Sequence, residues 1–335
     1  MRTLAIAAAA AALLAAAQTA SADPTVLRFV PGQNPGTFSY DSFFVPWAKK
    51  VTDDSHGALT IDLRGGMSIA NIANMYDRVM SDVVQIGFVL YNYVQGKFPY
   101  SEVAALPNTA PNAEEGSAAL WRLYKSGALN AEYDQAKPLF VLALPQSLVH
   151  LRAAPKSLKD LTGQRLVAPT QMTALTAKYM GAQPITLSSP EAYEAISRGT
   201  ADGTILSWNV YFSFRIGEVT HYHIDQSMGT AAAMVFMKKT VYDGLSPEAK
   251  KAIDENSGEA VSRAFGKSWD DDNNKNRELA KQDPKQTVVT LDPATKAEWA
   301  KKLDGAIAEW SQSRPGIDKI LAQYRQLLAD VAAGK

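Results

Sequence analysis

The sequence predicts an α/β fold in two lobes, and three observations carry that expectation. From Asp160 to Asn209 the chain reads DLTGQRLVAPTQMTALTAKYMGAQPITLSSPEAYEAISRGTADGTILSWN, whose spacing of apolar runs, glycines and helix caps fits one βαβαβ unit and hence a parallel sheet. Residues 26–90 carry a second alternation of strand and helix patterns. About 310 residues remain after an export signal, more than one core comfortably serves.

That signal is residues 1–22: Arg2 supplies the basic start, residues 4–17 an alanine-rich apolar stretch, and Ala20-Ser21-Ala22 a small-residue cleavage site, so the mature chain is expected to begin at Asp23. The apolar run falls short of the roughly 20 residues of a membrane helix, and no other segment comes close, so a soluble exported protein is expected. Residues 26–30 read as a strand, and Tyr40, Phe43, Phe44, Trp47 and Val51 recur at helical spacing. Leu59, Ile61 and Leu63 alternate as in a strand; Ile69, Ile72, Met75, Tyr76 and Val79 mark a helix; residues 83–90 form a buried strand running into Tyr91-Asn92-Tyr93. Residues 139–144 and 231–237 are continuous apolar runs suited to cross between lobes and return. In the βαβαβ unit, strands are expected at 165–168, 184–187 and 204–207, with a first helix closed by Gly181 and a second capped by Ser189 and stopped at Gly199. Ser246-Pro247-Glu248 opens a helix, and the remainder to Gly334 is mostly helical, with Trp299, Leu303, Ile307 and Trp310 on one face. The expected division is residues 23–146 plus about 233–265 in lobe I, and 147–232 plus the C-terminal helices, about 266–335, in lobe II.

Several chemistries are excluded. With 34 basic and 34 acidic residues nothing points to a polyanion, and without cysteine there is no thiol nucleophile, thiolate zinc site or iron–sulfur cluster. His221 and His223 share a strand face, but no third metal ligand accompanies them, and Tyr222 fits a structural corner. Asp270-Asp271-Asp272-Asn273-Asn274 lacks the glycine and the terminal glutamate of a calcium loop and reads as a solvated helix face. Gly266-Lys267-Ser268 has Val261 where a P-loop needs glycine, and GxSxG and GxGxxG are absent, so neither catalysis nor a cofactor is expected.

Binding is better served. Ligands of α/β sheets collect outside the carboxyl ends of strands, which points to residues 169–172, 187–190 and 207–209. His150 and Arg152, two apart after the crossing run, would face one side of a strand, where the guanidinium either grips a carboxylate or pairs with a surface acid. Trp208 either offers a flat face to a ring or packs between lobes, and Asn209 beside it could hydrogen-bond an oxygen. Phe38, Asn92 and Tyr93 would form the opposite wall, with Met172 an adaptable filler.

The stretch SLKDLTGQRLVAP followed by GAQPITLSSPEAYEAISRGTADG resembles the periplasmic solute receptors of tripartite ATP-independent (TRAP) transporters, with their D-L-x-G-x-[KR]-[IL]-R-x-P, G-A-x-P and E-x-Y-x-A-[IL]-x-x-G-x-x-D-G patterns; DVVQIGF, ALPN and VYDGLSPEAKKAID agree. The resemblance implies a two-lobed periplasmic binding protein fold with crossing hinge strands and a long helix spanning both lobes. It implies an organic acid held between the lobes and handed to small and large membrane subunits. VHLR (149–152), VAPTQ (167–171) and DGTILSW (202–208) are similar to a narrower branch, which favours Arg152 and Trp208 as ligand contacts. One departure stands out: the family's carboxylate-gripping arginine falls at Val167 and the branch's second arginine at Gln171, while Arg165 lies farther from the strand end. Two ligands remain open. Either Arg152 with His150 anchors a monocarboxylate whose aromatic or branched body lies on Trp208 and Tyr93, or a weakly charged or neutral solute is held by stacking and by Asn209, Gln171 and Thr170. Rival roles are a receptor for an ATP-driven importer or a sensor, and a periplasmic enzyme, for which no matched nucleophile and base are present.

Overall fold

The computed structural model describes residues 24–94 and 96–335; the export signal read at residues 1–22 lies outside the described residues. The chain opens with β1 (Thr25–Val30), a π-helical turn at Tyr40–Phe44 leading into α1 (Val45–Asp54), β2 (Leu59–Leu63), α2 (Met75–Met80) and β3 (Ile86–Leu90). Strand alternation feeds two faces: Leu27 and Phe29 pack with Phe44, Trp47 and Val51, whereas Val30 and Val89 pack with Met75 and Val79 on the other side. The helix expected over 69–79 is confined to α2. Asn71 Oδ1 accepts from Ala73 N and Asn74 N, and Asn74 Oδ1 accepts from Asn71 N at 2.8 Å, so these amides compete with helix bonds just before Met75.

Next come α3 (Ala113–Lys125), β4 (Ala136–Ala143), β5 (Leu148–Leu151), β6 (Arg165–Val167), α4 (Gln171–Tyr179), β7 (Gln183–Ile185), α5 (Ala192–Ser197), β8 (Gly203–Leu206), α6 (Trp208–Ser213) and β9 (Tyr222–Ile224). The expected βαβαβ unit is β6-α4-β7-α5-β8, with β6 parallel to both β7 and β8. Its second helix is capped by Ser188 rather than Ser189, because a 3-10 turn at Ser189–Glu191 precedes α5. The chain returns through β10 (Ala232–Lys238) and continues with α7 (Lys239–Asp243), α8 (Pro247–Glu255), α9 (Glu259–Gln282), β11 (Thr287–Val289), α10 (Pro293–Gln312) and α11 (Ile317–Ala332).

Two sheets result, ordered β2-β1-β3-β10-β4 and β11-β9-β5-β8-β6-β7. Each takes in a strand from the crossing connections: β10 is antiparallel to β3 and β4, and β5 is antiparallel to β8 and β9. β4 and β10 pair with each other and belong wholly to the first sheet, so the crossing falls at their ends. There residues 144–147 and 228–231 hold one another, with Leu144 N donating to Ala231 O (3.0 Å), Ser147 N to Gly229 O (2.9 Å) and Met228 N to Ser147 O (2.9 Å). Gly229 has a φ of +89° in this crossing, and a Cβ on it would meet Ala105 O at 3.1 Å.

The 24-residue α9, about 36 Å long, also spans the lobes: Phe265 and Trp269 enter the first core and Ala280 the second. It crosses α3 at Gly266, where a Cβ would stand 2.4 Å from Ala113 O. The C-terminal helices do not all join lobe II. Trp299 and Leu303 of α10 pack there, but Ile307 and Trp310 enter the first core, as do Ile317, Leu321, Tyr324 and Leu328 of α11. The cause is the apolar stripe of α11, which finds Leu120 and Leu123 of α3, and Tyr324 Oη donates to Gly116 O at 3.1 Å.

Candidate functional site

The carboxyl ends of β3, β6 and β8 meet the two crossing segments around a cleft. Leu90, Leu144, Ile205, Leu206 and Val210 supply apolar walls, and Tyr93, Ser147, Ser189 and Ser207 supply hydroxyls. A small side chamber shares Asn92, Thr170, Thr230 and Ala231 with it and adds Glu102, Gln171, Met172 and Trp310. Glu102 is the one charged residue among those lining either space.

The amino end of α4 is set at the cleft by its capping box: Thr170 Oγ1 accepts from Thr173 N (3.0 Å) and Thr173 Oγ1 from Thr170 N (3.1 Å). The first-turn amides of Gln171 and Met172 have no intrahelical acceptor, and the helix dipole favours negative charge at this end. Tyr93, from the first lobe, has its hydroxyl pKa raised by burial and then by the charge of Glu191 from the second, so the walls feel each other across the cleft.

Five of the expected contacts are here: Asn92, Tyr93 and Thr170 line the main cleft, and Gln171 and Met172 the chamber. Five are elsewhere. Arg152 lies at the far end of the second sheet, because β5 runs antiparallel to β8: Leu148 pairs with Leu206 at the cleft and Leu151 with Gly203 away from it. Its Nη1 donates to Ile196 O at 3.3 Å instead. The carboxyl-end rule holds for parallel strands, and β5 enters from the crossing with its amino end at the cleft. Trp208 is fully buried behind the floor, and its Nε1 has no partner. Asn209 is buried too, its Nδ2 donating to Trp269 O (3.1 Å) and Asp272 Oδ2 (2.8 Å), which ties α6 to α9. Phe38 packs edge-on against Trp269 at 5.9 Å.

His150 is the fifth. Its ring is buried against Trp208 and stacked on Tyr211, with Nδ1 2.9 Å from His223 Nδ1 and Nε2 3.1 Å from Leu206 O. His223 Nε2 reaches Gln286 Oε1 at 2.9 Å. Burial, then the neighbouring imidazole, holds His150 well below the ordinary histidine range, and burial brings His223 down to about 4. Both rings are neutral near pH 7, so their two N–H groups serve two of these three contacts, and they pack behind the cleft floor.

The expected solvated face at 270–274 is instead a seam between elements: Asp270 accepts from Ala113 N and Glu114 N at the start of α3, and Asn273 Oδ1 from Trp208 N at 2.9 Å. Arg165, read as lying back from the strand end, pairs with Asp202 through Nε (2.9 Å) and Nη2 (2.8 Å). Ser189 and Ser207 fall in the loops that the strand-end rule singled out. Ser147, Thr230, Glu102 and Arg314 had no motif to mark them. Arg314 stacks over Trp310 at 4.3 Å and donates through Nη2 to Glu102 Oε2 (3.0 Å) in the first lobe and Gln171 Oε1 (3.2 Å) in the second.

A family model of bacterial extracellular solute-binding proteins, family 7, matches residues 32–313. The outer membrane transporter protein TsaT of Comamonas testosteroni is 25% identical over 281 residues, covering 81% of this chain and 80% of its own. Among solved structures, a marine-metagenome TRAP solute-binding protein specific for aromatic acid ligands, in complex with 3-hydroxybenzoate, is 27% identical with a TM-score of 0.84, covering 92% of this chain and 99% of its own. A TRAP solute-binding protein of Rhodoferax ferrireducens with copurified benzoate is 26% identical at the same TM-score, covering 92% of this chain and 99% of its own.

Proposed function

The chain belongs to family 7 of the bacterial extracellular solute-binding proteins, the solute receptors of TRAP transporters, and on that premise we propose that it captures an aromatic monocarboxylate between its lobes. It would act in the periplasm, after removal of residues 1–22, and deliver the acid to the small and large membrane subunits of an importer. Closure follows from one ligand touching both lobes, so that binding favours the closed state by its differential affinity for it.

One observation carries the reading: the cleft pairs flat apolar walls from both lobes with hydroxyls and the amino end of α4, a combination suited to a ring with one acidic group. With Val167 buried in the core beside Trp208, no arginine grips the carboxylate. We assign that role to the hydroxyls of Ser189 and Ser207, aided by the positive end of the α4 dipole at Thr170. The named ligands of the two similar receptors, 3-hydroxybenzoate and benzoate, have this shape.

The absence of a cation among the lining residues favours a second reading, a weakly charged or neutral aromatic solute. A thermal-shift panel of the mature protein separates the two. Benzoate and mandelate stabilising it, with benzamide weaker, is the expected result; a ligand at 100 times its Kd adds about 2.7 kcal/mol. Benzamide outranking benzoate would establish the neutral reading, and hits confined to sugars, peptides or aliphatic dicarboxylates would overturn both.

A further inference from the structure

The side chamber differs in chemistry from the cleft it opens into. The main cleft offers chiefly hydroxyls, which can donate or accept, whereas the chamber adds the carboxylate of Glu102 and the amide of Gln171 against the apolar surfaces of Ala105, Met172, Ala232 and Trp310. Among the described residues, Asn92 Oδ1, at the junction of the two spaces, is buried and has no hydrogen-bond partner. Glu102, with its side chain 21% exposed, adds a carboxylate that accepts from Arg314 Nη2 at 3.0 Å and from the Trp310 side chain, which leaves lone pairs for a further donor. Arg314 is itself fixed by Trp310 O (3.0 Å) and Gln171 Oε1 (3.2 Å), so Glu102 cannot swing away without breaking that set. A buried acceptor without a donor is a standing penalty, and a ligand that supplies the donor relieves it.

Resting on the aromatic-acid reading above, we propose that the chamber is a subsite for a hydrogen-bond donor carried on the ligand's ring, a hydroxyl or amino group, received by Asn92 and Glu102. Hydrogen bonding sets the orientation. The ligand's carboxylate, an acceptor only, finds donors at Ser189 and Ser207, while the ring spans Leu90 and Val210 and its donor enters the chamber. The preferred solutes are therefore hydroxy- or amino-substituted aromatic acids rather than the bare ring. A site built to receive a donor also discriminates strongly against an analogue that lacks it.

Titration calorimetry of the mature wild-type protein with benzoate, 3- and 4-hydroxybenzoate and the two methyl ethers tests this on the ligand side, with no variant required. One hydroxybenzoate should bind about tenfold or more tightly than both benzoate and its own ether, which fills the same space without donating. The ratio of benzoate Kd to hydroxybenzoate Kd should then fall toward one in Asn92→Leu and decrease in Glu102→Gln. Equal affinity for benzoate, phenol and ether in the wild type would overturn the subsite while leaving the aromatic-acid reading intact. No binding by any of these acids would overturn both.

Discussion

Trp208 and His150 belong to the floor beneath the cleft, and their chemistry is that of a core. Because the Trp208 indole is fully buried with Nε1 unpaired, Trp208→Ala should lose about 3–5 kcal/mol of stability, whereas Trp208→Phe, which also deletes the unpartnered N–H, should cost under about 1.5 kcal/mol. Urea denaturation midpoints check the order. Arg152 is exposed at the other end of the second sheet, so Arg152→Ala should leave the Kd of an aromatic acid within about twofold by calorimetry. A large loss there would return the anchor to Arg152. Val167 shares the core of Trp208. The side-chain alternation of β6 places this residue in the core among Trp208, Ala195 and Ile216, so neighbouring residues that matched a ligand-binding pattern serve packing here.

At the scale of elements, β8, β5, β9 and the residue preceding β11 are joined by the line Leu206 O, His150, His223, Gln286, and that line ties stability to pH. His223 titrates at about 4 in the fold, against 6.5 for an unperturbed ring, so the unfolded chain binds the extra proton between these values. The stability it contributes is complete above pH 6.5 and is lost as pH falls toward 4, about 2 kcal/mol of it by pH 5. Glu132 opposes this slope. Burial raises its carboxyl to about 7 from 4.5, so the fold keeps a proton that the unfolded chain releases, and stability falls as pH rises from 4.5 toward 7. The difference in unfolding free energy between wild type and His223→Gln isolates the histidine, and its advantage should shrink from pH 7 to pH 5. Most elements were legible because period and caps are local: β6-α4-β7-α5-β8, α1, β2 and α8 stand near where spacing and caps put them, with the start of α5 moved by the 3-10 turn at Ser189–Glu191. Local amide bonds at Asn71 and Asn74 shortened α2, and the three-residue β11 has too little pattern to be seen without its partner β9.

For the whole molecule, the lobes are tied by the paired crossing segments, by α9 and by Arg314, which alone of these is a side-chain contact to Glu102 on one lobe and Gln171 on the other. Arg314→Gln should shift the unliganded protein toward the open state, seen as a larger radius of gyration by small-angle scattering. It should also raise the apparent Kd up to about tenfold, since affinity scales with the closed fraction. Unchanged scattering would show that the crossing segments alone set the lobe angle. The amino-acid sequence by itself determined the two α/β lobes, the βαβαβ unit, the crossing between lobes and the family, because each rests on periodicity, caps and ordered motifs within short spans of chain. Only the tertiary structure decided which residues line the cleft. The antiparallel entry of β5 carried Arg152 away, burial turned Trp208 and Asn209 inward, and α11 joined the first lobe through α3. Strand direction and the side on which a helix finds an apolar partner are set by contacts between residues far apart in the chain, and no local spacing encodes them.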